Sequence, residues 1–248
     1  MDDKFVSPWS TGLDPATGVW ISPADAARVE RWNSRLPLGD PRRVILVTSG
    51  GHPVMPGQWS GDPSSAPVVL LLLNPSYGPR TEDIYEGGPP EALYHLCLNA
   101  MGHWDATYPN PWLHPVLRSR EPWCSSVVFG ALHRQLQDDG WEAEAAWQRI
   151  SQRVAVLELS PWPSHKWGDG AWVSTCQVSV DLARRAMSDP GRLALLGRGE
   201  SEWKSAGLLD ADVLPKSRGV RSHQCRLTRG NFPEAWDRLL SLVEDDHA

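Results

Sequence analysis

From Val68 to Pro79 the chain reads VVLLLLNPSYGP. Six apolar residues run without a polar break and stop at a cluster of turn formers. Such a run predicts a strand buried on both faces, as in a parallel sheet covered by helices. Pro75 cannot donate to a ladder, and Gly78-Pro79 permits a tight loop, so the strand must end near Leu73. Asn74 is therefore presented at the carboxyl end of a central strand, the edge where open α/β sheets bind ligands. An ordinary strand-to-loop turn has the same pattern, so the run alone assigns no function.

The 248 residues suffice for one large α/β domain spanning 1–248, with 1–66 as an N-terminal extension packed on it. Met1 to Ser10 holds Asp2, Asp3 and Lys4 and no apolar segment, so no signal peptide is expected. The longest apolar run is too short to cross a bilayer. A cytoplasmic protein with no membrane partner is the expectation. Cys97, Cys124, Cys176 and Cys225 are widely spaced and make no CxxC pair, which suggests neither a zinc site nor a disulfide framework. A net charge of −6 argues weakly against nucleic acid, although its distribution matters more than its total. The fourteen tryptophans read mostly as core or loop anchors, and a few could stack on a base.

Ser22-Pro23 predicts a helix start, with the helix reaching Leu36. Arg43 to Thr48 alternates and predicts a strand, and Gly50 to Pro67 a loop. Arg80 to Pro90, which contains Tyr85, reads as a polar loop over a pocket. Helices are expected over Pro90–Met101, Trp123–Leu136, Trp141–Arg153, Trp172–Met187, Glu200–Leu208 and Phe232–Leu242, with an irregular insertion over Tyr108–Arg120. Val154 to Leu159 and Arg192 to Gly197 are further buried strands. The first ends in Glu158-Leu159-Ser160-Pro161, so Glu158 shares the sheet edge with Asn74. Glu158 is either a pocket residue or a solvated strand cap. Ser160, Ser164 and His165 are supporting pocket candidates, and a lone histidine is more often structural. Lys216, Arg218, Arg221, Arg226 and Arg229 lie in a run without acidic residues. The run is either a phosphate-binding segment or a solvated basic loop.

Asn74-Pro75-Ser76-Tyr77-Gly78-Pro79 resembles the first motif of the uracil-DNA glycosylase superfamily. The strand ending at Glu158 and the segment His223-Gln224-Cys225-Arg226-Leu227-Thr228 follow in the family's order. The last resembles the family's second motif, usually His-Pro-Ser-Pro-Leu-Ser, and departs from it at Gln224, Cys225 and Arg226. The chain also resembles a bacterial group related to these glycosylases. The resemblance implies a three-layer α/β/α sandwich with a mostly parallel sheet, and hydrolysis of an N-glycosidic bond in DNA without metal or cofactor. It implies that Asn74 orients the attacking water and that His223 stabilises the departing base. Glu158 stands where the family reads the base with Asn, and Leu227 where it inserts an apolar wedge into the duplex.

In uracil-specific members a Tyr two residues after the first catalytic residue blocks the pyrimidine five-position. Here that place holds Ser76, which leaves space, unless Tyr77 refills it and the enzyme acts on uracil. An ionised Glu158 accepts from an amine, as cytosine offers. Together these imply a five-substituted cytosine, such as glucosylated hydroxymethylcytosine, and hence phage DNA as partner and phage defence as role. A monomer is expected. A hydrolase acting on free nucleosides and a module that flips bases without excising them remain open alternatives.

Overall fold

A computed structural model describes residues 6–10, 18–168, 172–219 and 225–245. The chain is a mixed α/β structure. Its strands are β1 (Trp59–Ser60), β2 (Val68–Leu72), β3 (Val154–Glu158) and β4 (Leu193–Leu196), in sheet order β1-β3-β2-β4. β2 pairs in parallel with both β3 and β4, while β1 is antiparallel to β3 at the edge. The three longer strands are the three apolar runs, and every residue in them is buried.

The helices are α1 (Pro23–Asn33), α2 (Pro79–Gly87), α3 (Pro90–Ala100), α4 (Pro115–Arg118), α5 (Gly130–Asp138), α6 (Ala143–Arg153), α7 (Cys176–Ser188), α8 (Glu200–Ser205) and α9 (Trp236–Glu244). Strand period two sorts the sheet side chains onto opposite faces. Val69, Leu71, Leu157, Ala194 and Leu196 pack with α1, α7 and Trp203. Val68, Leu70, Val154, Val156 and Leu195 pack with α5, α6 and α9. A smaller cluster joins Tyr77, Ile84 and Tyr85 to Ala92 and Leu96, seating α2 on α3 beside the carboxyl edge of β2. Trp9, Trp20 and Val44, from the N-terminal segment, belong to the first of these clusters. No helix among the described residues is long and apolar enough to cross a membrane.

Four local expectations are corrected. Residues 43–48 form no ladder strand, only the isolated bridge Val47–Pro53. The Asn33 side chain bonds both the amide and the carbonyl of Val44 at 2.9 Å, and Ile45 donates to Pro163 O at 3.0 Å, so these backbone groups are satisfied outside a sheet. The expected loop over 50–67 contains the edge strand β1. The expected loop over 80–90 is instead largely α2. Pro79 opens that helix, and Thr81, Ile84 and Tyr85 bury one face at helical spacing. The helix expected over Trp123–Leu136 is interrupted, with a π-helical turn at Cys124–Val128 preceding α5.

Candidate functional site

Leu72 and Glu158 are direct partners in the β2–β3 register, so the segments following them leave the sheet side by side. Ser160 N donates to Leu73 O at 2.8 Å and holds the two segments together. Period two sends the Glu158 side chain to the face shared by Val154 and Val156. There it meets a cavity of about 90 Å³, several times the roughly 10–15 Å³ that one water needs. One wall consists of Ser76 and Tyr77 with Thr81 and Tyr85 of α2. Trp112, Trp123 and Cys124 form another, and Met55–Gly57, Leu96 and Asn99 contribute to the rest. Trp123 and Ser76 are exposed and mark the open side, whereas Tyr77, Tyr85, Cys124 and Glu158 are buried.

Two polar atoms at this cavity, Glu158 Oε2 and Tyr77 Oη, are buried with no hydrogen-bond partner among the described residues. Buried polar atoms are nearly always satisfied, so two orphans on one cavity call for polar partners there, from water or from a ligand. Burial raises the Glu158 carboxyl from its ordinary 4.5 to about 8, against the opposing pull of the Arg198 guanidinium. At neutral pH the unliganded carboxyl is therefore mostly protonated. That corrects the expectation of an ionised, accept-only Glu158: the neutral group has one O–H donor and an acceptor oxygen. Burial likewise lifts the Tyr77 hydroxyl above its usual range and the Tyr85 hydroxyl to about 12. Tyr85 Oη accepts from Met55 N at 3.2 Å and so holds the 53–57 segment against α2.

Asn74 does not line the cavity. Its Nδ2 donates to Ser164 Oγ at 3.0 Å and contacts the carbonyls of Ser164 and Pro75, tying the two segments together. Ser160 is fully buried and its Oγ faces Trp162 N at 3.4 Å, away from the cavity lining. His165 is exposed, with its ring edge-on to Tyr77 at 6.0 Å. Of the expected base-binding residues, the structure thus brings together Ser76, Tyr77, Tyr85 and Glu158.

The basic run is largely ion-paired. Lys216 bonds Glu200 at 2.8 Å, Arg218 pairs with Glu234, and Arg229 bonds Asp237 at 3.0 Å. Arg226 is half-buried, with its carbonyl accepting from Asn231. Leu227 corrects the expected wedge: it is fully buried in the core beside Phe232, and its amide donates to Val128 O at 2.9 Å. A side chain so placed cannot enter a duplex in this conformation. Arg221 and His223 lie outside the described residues.

Trp112, Trp123, Cys124 and Arg198 were not expected at the site. Arg198 follows β4, the other parallel neighbour of β2, so the same carboxyl-edge rule that singled out Asn74 and Glu158 applies to it. The tryptophans come from segments whose place on the sheet no local pattern reveals. Comparison of the chain with protein-family models, curated proteins and solved structures finds no match.

Proposed function

We propose that the protein is a DNA glycosylase that hydrolyses the N-glycosidic bond of an extruded, five-substituted cytosine and leaves an abasic site. One observation carries this: an unpartnered Glu158 carboxyl oxygen in an aromatic-walled, ring-sized cavity at the sheet's carboxyl edge. A flat heterocycle with a polar edge is the ligand class that such a cavity accepts, and a base must leave the stack to reach it. In its protonated form Glu158 donates to cytosine N3 while its other oxygen accepts from the 4-amino group. Exposed Ser76 on the open side leaves room for a substituent on the ring.

As the resemblance implies, Asn74 would orient the water rather than deprotonate it, because an amide is no general base; to do so its side chain must release the Ser164 contacts that hold it off the cavity. Orienting alone suits a transition state in which the base departs early. His223 would stabilise the leaving base, as the resemblance implies. The chemistry calls for no cofactor. The two helix-packed faces of the sheet support a three-layer α/β/α sandwich. In this reading a cytoplasmic monomer acts on phage DNA bearing modified cytosines.

The test incubates the protein with matched DNAs carrying uracil, cytosine, hydroxymethylcytosine or its glucosylated form, and detects abasic sites. Excision of the modified cytosines is expected, and preference for uracil would defeat the proposal. Ser76→Tyr should lower excision of the bulkiest base selectively, since overfilling a packed site costs about 1–3 kcal/mol. Equal loss on every base would remove Ser76 from specificity. The Ser164 contacts that hold the Asn74 amide off the cavity favour a second reading, a module that binds a flipped base without excising it. Tight DNA binding with no abasic product would select that one.

A further inference from the structure

Where α3 meets the segment before α4, three side chains converge that no part of the proposed chemistry uses. Glu91 and His95 stand four residues apart on α3 and so share one face of the helix. His114 precedes α4 and brings its ring to 4.0 Å from that of His95, tilted by 31°. One ligand-capable atom from each of the three lies within 4.8 Å of the others. We propose that Glu91, His95 and His114 bind one divalent transition ion of zinc's class, clamping α3 to the 111–118 segment.

Two imidazoles and a carboxylate make a borderline-soft nitrogen–oxygen set, which suits zinc and disfavours calcium or magnesium. Ligand atoms on a tetrahedral zinc sit roughly 3.3 Å apart for bonds of about 2.0–2.1 Å. Closing the triangle therefore asks for small side-chain rotations, and exposed Glu91 is free to supply much of them. His114 Nδ1 accepts from Val116 N at 3.4 Å, a contact long enough to be given up at little cost. The Asp105 carboxylate is fixed nearby by the amides of Thr107 and Tyr108 and adds negative potential at both histidines. Leu96 of α3 and Trp112 of the clamped segment both line the cavity, so the ion would brace two of its walls. This departs from the expectation, drawn from cysteine spacing, that the chain holds no zinc site.

The experiment dialyses the full chain, stripped with a chelator, against Zn²⁺ and measures bound metal. Cobalt absorption then reports the coordination. One ion per chain is expected, with visible cobalt bands typical of a low-coordinate site. Glu91→Gln and His95→Gln should each weaken uptake by at least ~10-fold and remove those bands. Both positions are incompletely buried, and circular dichroism of the metal-free variants should match that of the parent. Absence of uptake by the parent chain, or unchanged uptake by His95→Gln, would overturn the proposal.

Discussion

Glu158→Ala should lower excision by roughly 100- to 1,000-fold, or ~2.7–4 kcal/mol of barrier, while the fold persists. Persistence is expected because the β2–β3 register and the bond from Glu158 N to Gln58 O at 2.7 Å are backbone features that the variant keeps. The loss follows from what the carboxyl offers: a donor and an acceptor held in a desolvated pocket. An alanine there would leave the base edge unpaired and the site indifferent to its pattern. Single-turnover rates on a hydroxymethylcytosine duplex are the measurement. Turnover within a few-fold of the parent would remove Glu158 from the reaction.

The second large effect is on stability, and its sign is opposite. A buried acid whose pKa rises from 4.5 to about 8 on folding costs nothing below pH 4.5, where both states are protonated. Between 4.5 and 8 the unfolded chain ionises while the folded one keeps its proton, so stability falls as pH rises. Above pH 8 the full loss of roughly 4–5 kcal/mol is in place. Other groups blur the raw curve. Burial lowers the pKa of His114 and His133, which adds stability as pH rises through the histidine range. Buried Cys124 and Cys176 have raised pKa values and remove stability at alkaline pH. The difference between the parent and Glu158→Gln cancels these contributions. Urea titrations from pH 5 to 9 should show the variant gaining on the parent up to about pH 8 and holding a steady lead above it. Parallel curves would mean that the carboxyl is solvated or paired. A site residue that weakens the fold in this way fits the usual trade between stability and function.

The sheet was legible because β2, β3 and β4 are continuous apolar runs, which only a strand covered on both faces can bury. The edge strand Trp59–Ser60 was not, since two residues amid prolines and glycines carry no period. Residues 43–48 hold a strand-like apolar run, Val44 to Val47, but Asn33 and Pro163 meet their backbone groups first. The charges and paired glycines of 80–90 masked α2, although the spacing of Thr81, Ile84 and Tyr85 was there to read. At the site, Glu158 was found because it ends a strand. Its protonation was not, because desolvation depends on packing by segments remote in sequence, Cys124 and Trp112 among them. Leu227 matches the wedge position of a motif, while its place is decided by core neighbours such as Phe232.

The most direct measurement of the central claim is the pH profile of single-turnover excision by the parent chain and by Glu158→Gln on one hydroxymethylcytosine duplex. A protonated Glu158 that pairs with N3 and the 4-amino group predicts abasic product from the parent, with a rate that falls as pH rises past about 8. The variant, which cannot ionise at this position, should lack that fall. Absence of abasic product at every pH, or profiles that superimpose, would contradict the account.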